Sequence, residues 1–453
     1  MNSRTMSLLF ASLVLAAIAL PAWQAVSSPP AVTRQAPALE VDAAGRATVV
    51  WISVDGVRPD YLERGELPFL SKLMREGAVS RQLVPVFPSL TFPSHVSQAT
   101  GVTAEKHGVT ANSFIDKTDW RNHRYPWDSR LMQAEPIWRT APRQGVRTVV
   151  FDWPLSHAQR GANRSDYFGP RFIGGMADEE RLQLVIDAWE GDENDEPLRL
   201  LMGYVVGPDK PGHEFGPDAS EPVAELEKVD ALLANFAEKA MQLWQRHPSR
   251  KPNDTFYLLI STDHGMSNVT HLVNMELLAG IDGVTGYVTS TSGNVGHIYL
   301  QHGEDEEPNA EVDNAKLDAI VARVNQHEYA KAYRRENMPR EWGYAHPSRS
   351  GDIVVVVDTG YTFSRRPKET PAEPVSNFDG PLGMHGYDVV RNPEMHGMMI
   401  LWRAPQPGMS PLGGVDLGAV HSLQLHATVA RLLGIEPAEG ARQDGVKLPD
   451  AKK

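Results

Sequence analysis

The sequence predicts an α/β fold: a three-layer α/β/α sandwich around a mainly parallel central sheet. Three observations carry that expectation. Apolar runs of strand length alternate with amphipathic helical stretches along most of the 453 residues. The runs are nearly continuous rather than alternating, as in strands covered on both faces. The carboxylates and imidazoles of greatest chemical interest follow those runs, at the edge where open α/β sheets build their sites.

The elements follow in order. Ala47 to Val54 reads as a buried strand ending in Asp55-Gly56, and Leu67 to Glu76 as a short helix with Leu67, Leu70 and Met74 near helical spacing. Gln82 to Phe87 reads as a strand feeding a helix from Phe92 to Ala99, with Pro93 early in it and Gly101 beyond its end. Pro136 to Gln144 is helical and Val146 to Phe151 extended; Leu182, Val185, Ile186 and Trp189 mark a further helix before the strand Leu198 to Val206. Glu221 to Arg246 is the longest helix, with an apolar stripe that is pure core. Phe256 to Ser261 is a strand ending in Thr262-Asp263-His264-Gly265. From 268 to 380 the pattern loosens, and Gly296 to Gln301, Leu317 to Asn325 and Ile353 to Asp358 suggest a small β-α-β appendage or insertion. Met395 to Trp402 returns as a strand and Ser422 to Leu433 as the closing helix. No fixed-period repeat is present.

These elements place one main domain over residues 46–445, followed by a tail at 446–453. Residues 1–25 have the pattern of a secretory signal: Arg4, then the apolar Leu8 to Leu20, then the small residues Ala22 and Ala25. Residues 26–45, with Pro29, Pro30 and Pro37, read as a flexible lead-in. No second apolar run approaches membrane length, so no stable span is expected after signal cleavage. The chain has no cysteine, so an exported protein of this size must be held by its core, to which bound metal can add, and a bacterial periplasm suits it. With 44 basic and 57 acidic residues the formal charge is −13, which lacks the basic excess of a duplex nucleic-acid binder. It leaves a phosphate-bearing substrate open, because bound metal inverts the local field.

Five pieces point to a metal site. Asp55, Asp263 and His264 follow strands; Asp209 and His213 sit in a loop framed by Pro208, Gly212 and Gly216; His385 lies between Met384 and Gly386; Thr91 opens the helix after the Gln82 strand. Three carboxylates and three imidazoles without a thiolate suit zinc, with manganese or iron as other candidates. Six protein ligands leave open positions on two ions, the arrangement of a two-metal phosphoryl-transfer site. Thr91 then stands either as a helix cap or as a nucleophile.

The motifs resemble the nucleotide pyrophosphatase/phosphodiesterase family of the alkaline phosphatase superfamily. The resemblance runs from about Val49 to about Gly445. It rests on Ser53-Val54-Asp55-Gly56, Phe87-Pro88-Ser89-Leu90-Thr91-Phe92-Pro93-Ser94-His95 and Lys106-His107-Gly108-Val109. Further matches are Asp209-Lys210-Pro211-Gly212-His213, Ser261-Thr262-Asp263-His264-Gly265-Met266 and Gly383-Met384-His385-Gly386-Tyr387-Asp388. It implies an alkaline phosphatase-like catalytic domain with two Zn2+ ions, one held by Asp55, Asp263 and His264 beside Thr91, the other by Asp209, His213 and His385. It further implies that Asn112 donates to a phosphate oxygen and that Phe92 stacks on a nucleobase, with Tyr167 facing it across the pocket. Two positions depart from the family pattern: Gly207 stands where an acidic residue is frequent, and Val389 where an asparagine is frequent.

The expected activity is therefore hydrolysis of phosphodiester or pyrophosphate bonds in small nucleotide-like substrates, through a covalent phosphothreonine at Thr91. The alternatives on the same fold are a phosphomonoesterase, a phosphonate hydrolase and a phospholipid-headgroup phosphodiesterase. A silent binder of phosphorylated ligands has no use for the nucleophile, and a structural zinc protein would close each site with four protein ligands.

Overall fold

The Ala47–Val54 strand is buried at every position. Val50, Ile52 and Val54 enter one hydrophobic core, and Val49 and Trp51 the other. A strand with two apolar faces must be covered on both, and this places it in the middle layer of three. The computed structural model describes residues 45–303, 310–375, 380–405 and 411–448. The expected signal and all but one residue of the lead-in lie outside the described residues, as do residues 449–453 of the tail.

The central sheet runs Val415–Asp416, Ala78–Val84, Gly397–Arg403, Thr255–Thr262, Ala47–Val54, Leu198–Val205, Arg147–Val150, Tyr167–Phe168, with Ala419–His421 also pairing to Ala78–Val84. All pairings are parallel except the two made by Gly397–Arg403, which runs antiparallel between its neighbours. Helices Pro68–Glu76, Asp178–Glu190 and Glu221–Arg246 close one core through Leu70, Val185 and Leu226. Ile137–Arg143 and Gln424–Leu433 close the other through Trp138 and Val429. This is the mainly parallel three-layer α/β/α architecture that the sequence predicts.

One stretch differs from the expected pattern. The strand expected at Gln82 to Phe87 spans Ala78–Val84. Pro85 and Pro88 carry no amide donor for the ladder, so pairing stops before them. Within residues 268–380 the strand Val295–Leu300, the helix Ala310–Val324 and the strand Ala330–Arg334 follow one another as a split β-α-β unit, with Ile353–Val357 antiparallel between the two strands. The main sheet of this region joins Tyr287–Ser292, Val295–Leu300, Ile353–Val357 and Ala330–Arg334, every pairing antiparallel, with Ala310–Val324 as the accompanying helix. The appendage has its own core around Ile298, Leu317, Ile320, Ala332 and Val355. Among the described residues, no helix is long and apolar enough to cross a membrane.

Candidate active site

Three adjacent parallel strands deliver the carboxylates. Val54 lies level with Thr262 on one side and Val205 on the other, so Asp55 and Asp263 emerge side by side from the same sheet edge. The third strand reaches Asp209 through a short turn at Gly207, and Asp178 fixes that turn by accepting from the Val206 and Gly207 N–H groups at 2.9 and 3.0 Å. Asp209 and His213 share one face of the Asp209–Phe215 helix, four residues apart. Gly56 meets this helix where no side chain fits: its φ is +68°, and a Cβ there would lie 2.7 Å from the Asp209 Cα.

Thr91 is the first residue of the Thr91–Thr100 helix, with Leu90 as the N-cap, and its hydroxyl makes no capping bond. The Thr91 Oγ1 instead lies 3.2 Å from His264 Nε2. His95, one turn further, donates from Nδ1 to the Thr91 carbonyl at 2.8 Å and accepts from the Ser53 hydroxyl at 2.8 Å, tying the first helical turn to the central strand. The hydroxyl therefore sits at the positive end of the helix and close to the paired carboxylates.

The ligand atoms of Asp55, Asp263 and His264 all lie within 4.8 Å of one another, as do those of Asp209, His264 and His385. His213 joins the second group through Asp209, whose Oδ1 lies 3.4 Å from His213 Nε2 and 3.5 Å from His385 Nε2. In the first group, His264 Nε2 lies 3.4 Å from Asp55 Oδ1 and 3.0 Å from Asp263 Oδ2. Donor atoms around one tetrahedral ion stand roughly 3.3–3.6 Å apart, because each is about 2.0–2.2 Å from it. The His264 and His385 rings stack at 3.5 Å where the two groups meet.

The donors fit metal chemically as well. The buried oxygens Asp55 Oδ1, Asp209 Oδ1 and Asp263 Oδ2 have no hydrogen-bond partner, and each belongs to one of these groups. His264, His213 and His385 each place Nδ1 against a backbone carbonyl, of Gly265 at 2.9 Å, Gly383 at 2.7 Å and Ser89 at 3.0 Å. Those bonds fix the proton on Nδ1 and leave the Nε2 lone pair for a cation. Burial, and then the charges of Asp263 and Asp209, push Asp55 well above the ordinary carboxylate range. A bound dication reverses that penalty. Tyr204 donates to Asp55 Oδ2 at 2.6 Å and orients the carboxylate.

Asn112 lies beside Thr91: its Oδ1 accepts from the Phe92 N–H at 3.0 Å. That bond settles the amide orientation and leaves the NH2 for a ligand in the adjoining cavity, which Asn112 lines. Phe92 is placed differently from the expectation of a stacking platform. It is only 1% exposed, enclosed edge to face by Trp127 at 4.9 Å and Tyr125 at 5.8 Å. Tyr167 is not brought to the site at all. It stands on an outer strand of the sheet, and its hydroxyl donates to Asp192, which Arg147 also binds. The aromatic residues around Phe92 come instead from the hairpin region at Tyr125 and Trp127, with Phe172 stacked on Trp127 at 3.7 Å.

His95, Tyr204 and Asp178 are supporting residues that sequence reasoning did not single out. His95 alone carried a signal, its four-residue spacing from Thr91 on one helix face.

A parallel sheet with paired Asp/His groups at its carboxyl edge and a hydroxyl beside them defines a metal-binding hydrolase of the alkaline phosphatase superfamily. The model of the type I phosphodiesterase / nucleotide pyrophosphatase family matches residues 49–388. The chain belongs to that family and is a phosphoric diester hydrolase. It is 25% identical over 417 residues to an uncharacterised pyrophosphatase/phosphodiesterase of Schizosaccharomyces pombe, covering 89% of this chain and 80% of that protein. It is 26% identical over 409 residues to the human bis(5'-adenosyl)-triphosphatase ENPP4, covering 85% and 78%. The solved structure of human ectonucleotide pyrophosphatase/phosphodiesterase 5 superposes with a TM-score of 0.71 at 25% identity, covering 88% of this chain and 97% of that one.

Proposed function

We propose that the protein hydrolyses phosphodiester or pyrophosphate bonds of small nucleotide-like substrates through a covalent phosphothreonine at Thr91. The observation that carries this reading is the Thr91 hydroxyl, uncapped, 3.2 Å from His264 and beside buried carboxylate oxygens that lack any donor. Asp55, Asp263 and His264 would hold one zinc ion and Asp209, His213 and His385 a second. When bound, the pair supplies positive charge that favours ionisation of a nearby hydroxyl and offsets the charge developing on phosphate oxygens.

The chain's own groups then act in sequence. The Thr91 Oγ gives up its proton to solvent and attacks phosphorus in line. A P–O bond to Thr91 forms as the P–O bond to the leaving group breaks, and the leaving oxygen keeps the electron pair and takes a proton from water. Water next attacks phosphorus, the Thr91–phosphorus bond breaks, and Thr91 recovers its proton. Asn112 donates its free NH2 to a non-bridging oxygen, where negative charge grows. Its neutrality suits a diester, which carries one charge fewer than a monoester.

Export to the periplasm is part of the same proposal and rests on residues 1–25 alone; fractionation of cells expressing the full chain tests it. For the chemistry, Thr91→Ala is the direct test. The variant should lose at least about a thousandfold in rate on a 4-nitrophenyl nucleotide diester while keeping its unfolding midpoint. A variant with near wild-type turnover would remove Thr91 from the mechanism.

A further inference from the structure

Beside the site lies a cavity of about 660 Å³, within the roughly 300–1,000 Å³ usual for small-molecule sites. His213 and His385 line it, whereas Thr91, Asp55 and Asp263 do not. Leu90 and Asn112, the neighbours of Thr91, line it too, so the cavity meets the site between the nucleophile's flank and the His213 and His385 side. In-line attack sends the leaving group to the side of phosphorus opposite the nucleophile. The cavity offers room for that arm beside His213 and His385.

Its walls are polar and come from the appendage and from a hairpin. The Tyr287–Ser292 strand contributes Thr289, Ser290, Thr291 and Ser292, and the hairpin of Ser113–Asp116 and Arg121–Arg124 contributes Asn122 and Arg124. The two walls are joined. The Ser113 N–H donates to Ser292 Oγ at 2.9 Å, and the Ser113 and Ser290 hydroxyls lie 3.2 Å apart. Arg124 and Arg365 both line the cavity, and neither has an ion-pair partner among the described residues. The one carboxylate in the lining, Glu276, already accepts from Thr289 at 2.8 Å. The apolar members of the lining, Leu90, Tyr125, Met275, Phe363, Pro381 and Met384, are outnumbered by polar residues, as they would not be in an acyl-chain groove.

From this we propose that the cavity is a leaving-group subsite and that Arg124 and Arg365 are specificity-determining residues for a leaving group bearing phosphate. The inference deepens the phosphodiesterase reading and rests on it. Guanidinium groups suit phosphate oxygens by charge and by planar geometry, and the hydroxyl-rich wall suits the polar remainder of a nucleotide-sized arm.

The test compares two substrates that transfer the same adenylyl group: ATP, which releases pyrophosphate, and the 4-nitrophenyl ester of AMP. The wild type should favour ATP in kcat/KM. In the Arg124→Ala/Arg365→Ala variant the ATP-to-aryl-ester ratio should fall about 10–100-fold, the worth of one or two charge-assisted contacts. The Arg124→Lys/Arg365→Lys variant should recover part of it, which a general loss of structure would not produce. An unchanged ratio in the alanine variant, or an equal fall on both substrates in the alanine and lysine variants alike, overturns this subsite alone. A wild type that turns over neither substrate overturns the phosphodiesterase reading, and the subsite with it.

Discussion

At the residue scale, the side chains of the site are held by partners that lie far away in sequence. Tyr204 illustrates it: its hydroxyl is the donor to Asp55 Oδ2, and both groups are buried. Tyr204→Phe should leave the fold intact and weaken metal binding by about 10–100-fold, read by competition with a chromogenic chelator. Unchanged metal affinity would show that Asp55 needs no orienting donor. The Asp and His residues that the structure gathers were legible in the sequence, because each follows an apolar strand or stands in a glycine-framed loop. Tyr204 was not, since a tyrosine within an apolar run gives no sign of which carboxylate stands on the next strand. Tyr167 went wrong for a related reason. The expectation places it across the pocket from Phe92, but its hydroxyl donates to Asp192, itself bound by Arg147, at the outer part of the sheet.

At the element scale, strands and helices with a single dominant periodicity were readable, and the Glu221–Arg246 helix is an example. Leu226 on its buried face contributes only packing, so Leu226→Ala should cost about 2–5 kcal/mol in urea unfolding, without changing kcat per folded molecule. Asp178 works differently, because it holds the turn before Asp209. Asp178→Ala leaves two backbone donors without their partner and should cost about 1–3 kcal/mol. It should also weaken metal binding. Normal metal binding in a destabilised variant would limit Asp178 to a folding role. The strand-helix-strand order of the appendage was readable, but its pairing was not, because the antiparallel ladders depend on a register between distant strands, as between Val295–Leu300 and Ile353–Val357. With that register hidden, the cavity wall it forms beside His213 and His385 was hidden too.

At the scale of the whole molecule, the buried histidines set an acid limit on stability. Burial, aided by the charges of His346 and Arg349, lowers His107 to about 3, and burial lowers His297 to about 3 and His426 to about 4. An unfolded histidine titrates near about 6.5. Between those values the unfolded chain binds more protons, so this contribution to stability is complete above about 6.5 and is lost as pH falls toward 3–4. Urea midpoints measured with chelator present at both pH values should be lower at pH 5 than at pH 7.5. Equal midpoints would mean that these imidazoles do not resist protonation in the fold.

The central claim joins metal, hydroxyl and diester in one site, and one assay reaches all three. Purified protein is given a 4-nitrophenyl nucleotide diester and 4-nitrophenyl phosphate, before chelation, after chelation, and after zinc is returned. The account predicts faster hydrolysis of the diester, its loss on chelation and its return with zinc. Preference for the monoester, or diester hydrolysis that survives complete metal removal, would contradict it.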